Sequence, residues 1–518
     1  MKNMIDNGYY NPFETEEIRS RNIEGFENFH DVFVDSEKRF KHRTAVKYME
    51  GSKISEISDI QFFDDVRAWS SVLIRHGAQY KHVAMIGVNS YNWMLSYASI
   101  LNIGSVAVLL AADSTPEQIS KQIALADVEF LVYDRVLEAS VMAAGLGDVT
   151  LISMQDGCPD GIISIAEDRK TGIVDIENRT KKDDLSVIFF TSGNTGISKA
   201  VMLTNKQNYS GVTNFTLDYE AILIMLPLHH IAGFTIGLNS IVNGACMCIG
   251  TDPRQTQQYF SDFKPDATFV VPALLEVMRA RLSKVDFDQS RLGWNLRYLY
   301  CGGAAFQPGV LEDIEKAGME IWQIYASSES GGQGILSRMT RDHENSIGKD
   351  NMRCVIVDII DGELVIKGDT VFAGYYKDPE ATKEVLYDGW YHTGDLCRRD
   401  SDGYFYLVGR KKNVIVLSNG ENVSPEELEA ALYAADKRHD IAEIEVYGEN
   451  DMISAEILPN YSEATTDEDK DAVRALIRKL VEDYSMEVPT YKAIRKVIFR
   501  EQPFPKNALG KIVRRNNN

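Results

Sequence analysis

SVIFFTSGNTGISKAVMLTN, Ser186 to Asn205, is the stretch from which the fold can be read. Val187 to Phe190 form an apolar, β-branched and aromatic run, the pattern of a buried strand. The strand runs into a loop of Thr, Ser and Gly that ends near Lys199. Glycines let backbone amides turn toward an anion, Thr191, Ser192 and Thr195 offer hydroxyl donors, and Lys199 adds a charge. A strand feeding such a loop has the make-up of a polyphosphate cradle, although a plain surface turn can carry the same residues. It is not a Walker loop. Counted from Gly193, Ser198 falls where GxxxxGK[ST] needs its second glycine.

Outward from this stretch the strand pattern repeats. VAMIGV (from Val83), VAVLLA (from Val106), EFLVYD (from Glu129), VTLISM (from Val149), AILIML (from Ala221), ATFVVP (from Ala267) and LRYLYCGG (from Leu296) alternate with helical patterns. Such alternation implies an α/β fold with mostly parallel, stacked sheets. After about Ile347 the texture changes to short strands with glycine turns, CVIVDIIDGELVIKGD and DGYFYLVGR, which predicts a small antiparallel, β-barrel-like subdomain. Beyond Arg410 comes a compact α+β unit. Its first helix is opened by Ser424 and Pro425, with Ser424 and Glu427 spaced as a capping box, and an acidic loop, TTDEDKD, precedes its second helix. The expected domains are therefore 1–410 and a small, mobile 411–518. No internal repeat is visible.

Val83 to Ala112 carries no charged residue and is long enough to span a bilayer. Asn and Ser are spread through it, however, and strand, Asn-capped helix and strand describe it better than a membrane span. The N-terminus has no apolar core of a secretory signal. Six cysteines lie without CxxC or Cys/His metal spacing, as reduced thiols of a cytoplasmic protein do. The formal net charge of −21 argues against nucleic acid as a partner. The C-terminal end runs the other way: from Ala472 onward eleven Lys or Arg face four Asp or Glu. That basic tail could meet an anionic ligand or be a solvated helix face.

Further motifs follow in order: LPLHHIAGF (226–234), YCGGAAF (300–306), YASSES (325–330), WYHTGDL (390–396), VGRKKNVIVLSNGENVSPEELEA (408–430) and FPKNALGKIVRR (504–515). With the Ser186 stretch they resemble the ordered signature of the acyl-adenylate-forming superfamily, which includes AMP-forming acyl-CoA synthetases, adenylation domains and luciferases. The likeness covers nearly the whole chain. It departs from the pattern [ST]SG[ST]TGxPKG at Asn194, Ser198 and Ala200.

The resemblance implies that ATP and AMP are bound by Thr191, Ser192, Gly193, Asn194, Thr195, Gly196 and Lys199, by Gly303, Ala304 and Ala305 beside the adenine, and by Tyr325, Ala326, Ser327 and Ser328. Asp395 and Arg410 are implied as ribose contacts, and Thr195 and Glu329 as holders of Mg²⁺, carboxylate plus phosphate oxygens being its usual surroundings. Lys511, Ser328, Glu329 and Thr195 are the implied catalytic residues, Lys412 the hinge, and His229, His230, Gly233 and Phe234 the acyl pocket. The implied reaction joins a carboxylic acid to AMP with release of pyrophosphate, then passes the acyl group to coenzyme A. Texture at 89–110, 226–230 and 488–506 is similar to that of bacterial long-chain acyl-CoA synthetases, so a medium or long fatty acid is the expected substrate. Peripheral attachment at a membrane is an alternative if the acid is long. Two rivals stay open: an enzyme that loads a carrier protein, and a nucleotide-binding protein that has lost catalysis. An amino-acid substrate is disfavoured because Ile231 to Phe234 offers no aspartate.

Overall fold

The computed structural model describes residues 26–191, 199–213, 219–302, 309–343, 346–350, 352, 354–418, 420–462, 464–506 and 512–515. By internal packing these fall into two compact units. The first holds the residues up to 357 together with 366–391, the second 358–365 and 392 onward.

The first unit contains two eight-stranded sheets. In one the strand order is Gly374–Tyr375, Ala200–Thr204, Leu185–Phe190, Val106–Leu110, His82–Ile86, Phe130–Tyr133, Thr150–Ser153, Ile163–Ser164. The other runs Ile335–Arg338, Glu320–Tyr325, Tyr298–Gly302, Ala267–Val270, Ala221–Ile224, Cys246–Ile249, Thr44–Glu50, Lys53–Ser58. Both are parallel at the centre, as βαβ crossovers that cover both faces with helices require; the second has an antiparallel strand at each end, the first antiparallel strands only at its Gly374–Tyr375 end. Each apolar run of the sequence forms one of these strands, and the α/β fold, with its large N-terminal and small C-terminal domain, stands.

Helices fill the layer between the sheets. Tyr91–Asn102 and Asn205–Thr213 rest on the first sheet, Ile231–Val242 on the second, and both of the former pack against the latter. This explains the uncharged stretch from Val83 to Ala112. It is the strand His82–Ile86, a helix buried on nearly every side, and the strand Val106–Leu110. No described helix is long and apolar enough to cross a membrane. One detail of the reading is corrected: the helix is capped by Ser90, whose hydroxyl accepts the Trp93 N–H, and not by an asparagine. Five of the six cysteines are buried, and only Cys158 is partly exposed.

In the second unit residues 395–399 of the strand Trp390–Arg399 pair antiparallel with Phe405–Arg410. A further sheet joins Ile441–Glu449, Met452–Pro459 and Ile494–Phe499, covered by helices Pro425–Ala435 and Asp467–Glu487. Leu428, Leu432, Val446, Ile457, Ile477 and Val481 make its core. Six of the eleven basic residues of the tail pair with glutamates between 427 and 456 of this unit. Lys492 pairs with Glu427 (2.7 Å), Lys496 with Glu449 (2.8 Å), Arg500 with Glu456 (2.9 Å) and Lys506 with Glu443 (2.6 Å). Arg514 forks onto Glu429, and Arg515 reaches Glu445 and Glu456. Those three glutamates are at most 8% exposed, and a carboxylate is stable there only when paired.

Candidate active site

Parallel strands deliver functional groups at their carboxyl ends, because the crossover loops gather there. In the second sheet Tyr298–Gly302 and Glu320–Tyr325 are parallel neighbours, Gly302 opposite Ile324. Gly303, Ala304 and Ala305 come next in sequence after the first strand, and the loop after the second carries Ala326 to Glu329. The position a Cβ would take at Gly302 lies 3.3 Å from the Ile324 carbonyl, so the bare glycine lets the two chains run close.

The Tyr325–Ser330 segment holds its shape through its own serines. Ser327 accepts the Ser330 N–H (3.1 Å), and Ser330 accepts the Ser327 N–H (2.9 Å). Gly331 follows at φ 66°, where an added Cβ would lie 2.3 Å from the Thr370 carbonyl; only glycine fits. The turn leaves Ser328 and Glu329 half-buried at its tip.

Glu329 is gripped by two phenols. Tyr375 donates to its carboxylate at 2.9 Å and Tyr391 at 3.5 Å. Lys199 lies with Nζ 4.5 Å above the Tyr375 ring centroid, a cation–π contact. Thr191 and Lys199 close the base of the Ser186 loop, the Thr191 N–H bonding the Lys199 carbonyl at 3.1 Å. Tyr375 thus ties Lys199 to the carboxylate of Glu329, two residues expected at the nucleotide and metal site. Burial and the Glu329 charge push its phenol well above the ordinary range, so it stays a donor. Sequence reasoning missed Tyr375 and Tyr391; the clue was the pair of aromatics in GYYKDP and WYHTGD, which carry no charge to attract notice.

Among the described residues no group of three or more His, Cys, Asp or Glu gathers as a metal site. A single carboxylate, already holding two phenolic hydrogens, suits a hard cation that takes most of its oxygens from a bound polyphosphate. Replacing Tyr375 by phenylalanine removes one hydrogen bond to a charged group, so adenylation is expected to slow by about 10-fold or more. ATP–pyrophosphate exchange measures it, and a rate within twofold of wild type would remove Tyr375 from the site.

The residues expected at the acyl pocket follow the strand Ala221–Ile224. His229 and His230 have ring centroids 4.5 Å apart. Burial, then the neighbouring imidazole, pulls His229 down to about 3, and burial also lowers His230, opposed by the carboxylate of Asp113. Both rings are therefore neutral near pH 7. A Cβ at Gly233 would fall 2.2 Å from the Pro227 carbonyl, so glycine lets the first turn of Ile231–Val242 lie on the preceding loop. Phe234 is fully buried, its ring against Tyr97 and Phe189 in the layer between the sheets.

In the second unit Asp395 lies opposite Arg410 across the strand pair, with Nε 2.6 Å from Oδ1. Asp395 is 6% exposed, and its N–H bonds the Thr393 hydroxyl. Lys412 sits in the 3-10 turn Lys411–Asn413, and partial burial, then the Arg410 guanidinium, lowers its ammonium below the ordinary range. Ser192, Gly193, Asn194, Thr195, Gly196, Gly303, Ala304, Ala305 and Lys511 lie outside the described residues.

Residues 33–376 match the model of the AMP-binding enzyme family, and residues 412–518 that of the AMP-binding enzyme C-terminal domain. A 2-succinylbenzoate–CoA ligase of Oceanobacillus iheyensis is 26% identical over 408 residues, 75% of this chain and 80% of that protein. The long-chain-fatty-acid–CoA ligase FadD13 of Mycobacterium tuberculosis is 26% identical over 460 residues, 83% and 86% of the two chains. O-succinylbenzoate coenzyme A synthetase (MenE) of Bacillus subtilis, solved in complex with ATP and magnesium ion, superposes with a TM-score of 0.76 at 20% identity, over 94% of this chain and 98% of that one. With both family models matched in order along it, this chain belongs to the AMP-binding enzyme family, within the acyl-adenylate-forming superfamily.

Proposed function

We propose that the chain is an ATP-dependent, AMP-forming acid–thiol ligase that activates a carboxylic acid as its adenylate and transfers the acyl group to coenzyme A. The observation that carries this reading is Tyr375, which joins Lys199 to Glu329 and so links the phosphate loop to the carboxylate at the α-phosphate turn. Adenylation brings a carboxylate against the α-phosphorus of ATP, two anions that must be held in line with their charge offset. In this reading Lys199, Thr191, Ser328 and the Ser192–Gly196 loop hold the phosphates, Glu329 with Thr195 would hold Mg²⁺, and Asp395 with Arg410 takes the ribose. Magnesium, when bound, supplies neutralisation of the phosphate charge. The substrate's own carboxylate is the nucleophile, so no side chain need become one. The relatives' names support coenzyme A as the acceptor, and the solved complex with ATP and magnesium supports the nucleotide.

The unit 411–518 is proposed to rotate about Lys412 between the half-reactions, a gating step. Such rotation must break the bond from the Ser424 hydroxyl to the Val408 carbonyl (2.6 Å). The cysteine pattern supports a cytoplasmic setting.

For the acid, a neutral apolar tail is favoured. Leu226 to Val242 contains no charged residue, its two histidines are held neutral, and the opposing charge felt by His230 is the carboxylate of Asp113. A second carboxylate, such as succinylbenzoate carries, finds no cation in that segment. Asp113 also supports a second reading, an acid bearing an amine, since it supplies the carboxylate that Ile231 to Phe234 lacks. One panel separates these: protein with ATP, Mg²⁺ and CoA, against acids from acetate to palmitate, aromatic and dicarboxylic acids, and amino acids, read by thioester mass. Medium or long fatty acids are expected to give the highest kcat/KM. Faster turnover of any amino acid or dicarboxylate would overturn the substrate class, and absence of acid-dependent pyrophosphate release would overturn the ligase itself.

A further inference from the structure

Asn89 follows the strand His82–Ile86 in the first sheet, directly before the Ser90 cap of the helix Tyr91–Asn102. Its side chain leaves that helix alone. The Nδ2 donates to the Leu226 carbonyl at 2.9 Å, and Oδ1 accepts the Leu228 N–H at 2.8 Å. These are the two backbone groups that flank Pro227, which has no N–H of its own. The amide therefore takes the loop as a neighbouring strand would, one acceptance and one donation side by side. Across the loop, Gly233 lets the helix Ile231–Val242 press on the Pro227 carbonyl, which also accepts the His230 N–H at 3.0 Å. The loop is thus held from one sheet by Asn89 and from the other by its own helix. His229 and His230 leave it immediately afterwards.

We propose that Asn89 is a positioning residue for acid binding: by holding Leu226 and Leu228 it sets where His229, His230 and the first turn of the helix stand, and with them the affinity for the acid. It rests on the reading of 226–234 as the acid-binding segment. Asparagine alone fits the task at this reach. Aspartate keeps the acceptor for Leu228 but turns a negative charge on the Leu226 carbonyl; alanine serves neither group and leaves two partly buried backbone groups unpaired.

The test measures acid and ATP dependence of adenylate formation in the full chain for Asn89→Ala, Asn89→Asp and, beside them, His229→Ala, with thermal unfolding of each. Two lost hydrogen bonds should raise KM for the acid by about 10-fold or more in Asn89→Ala. KM for ATP should stay within about twofold and kcat at saturating acid within about threefold, since Asn89 touches no reacting atom. Asn89→Asp, nearly the same shape, should be as impaired as alanine near pH 7, and it carries the comparison if the alanine variant fails to fold. An unchanged KM for the acid in a folded Asn89 variant, or an equal rise for ATP, overturns the proposal. If His229→Ala shifts the acid KM and Asn89→Ala does not, the acid-binding segment stands and the role of Asn89 falls. If neither shifts it, the segment assignment falls and takes this inference with it.

Discussion

Replacing Lys511 by alanine is expected to slow acyl-adenylate formation by about 10³-fold, the scale of a lost transition-state donor or more, while sparing thioester formation from a supplied acyl adenylate. The reason is where charge develops. As the acid's carboxylate closes on the α-phosphorus, negative charge grows on the bridging and non-bridging oxygens, and an ammonium aimed there is worth far more than in water. The thiol step has no such demand, because its leaving group already carries the phosphate charge. The described residues nearest to it, 506 and 512–515, have partners of their own. Lys506 pairs with Ile512, the Val513 N–H bonds the Pro505 carbonyl at 2.8 Å, and Arg514 is held by Glu429. Alanine at 511 should therefore remove a charge and little else. ATP–pyrophosphate exchange reads the first half-reaction, and synthetic acyl adenylate with CoA the second. Equal loss in both would show that Lys511 is structural.

Lys412→Pro is expected to split the two half-reactions, one falling by about 100-fold or more and the other staying within about 10-fold of wild type. Proline fixes φ near −65° and forces the preceding residue out of the helical region. In the turn Lys411–Asn413 that preceding residue is Lys411, the first residue of a 3-10 helix, so the turn as described is strained by the change. The variant should settle in whichever state keeps Lys411 extended and lose the half-reaction that needs the other. Lys412→Ala leaves both states open and should be mild. Single-turnover pyrophosphate release and thioester formation, measured on both variants, decide the matter. If proline lowers both steps alike, or neither, Lys412 is an ordinary linker residue.

Much of the architecture was legible because a buried parallel strand has a short apolar run as its signature, and eight such runs became eight strands. What escaped were side chains with more than one place to go. Asparagine and serine both cap helices, so local pattern gave no reason to prefer Ser90 over Asn89, whose partners lie 137 and 139 residues away. Ser424 does accept the Glu427 N–H, but the Glu427 carboxylate, expected to close the box, is taken by Lys492. The full box is made instead by Thr466 and Asp469, and the acidic run read as a loop is the first turn of a helix, where carboxylates meet the positive end of the dipole. Charge count misled in the same way at the tail, since six of its eleven cations are taken by glutamates between 427 and 456. Within the candidate site, Glu329 was expected from its motif and its two tyrosine partners were not. Pairing across 46 and 62 residues leaves no trace in local spacing.

The cysteines have a practical consequence. Burial holds the Cys301, Cys354 and Cys397 thiols up at about 12 and raises Cys248 as well, while Cys246 is closed off from solvent. A maleimide dye needs an accessible thiolate, which leaves Cys158 as the one native attachment point. The unmodified chain already carries a donor position in its first unit. One added surface cysteine beyond residue 411 would complete a fluorophore pair, and energy transfer between them would test the proposed rotation turnover by turnover.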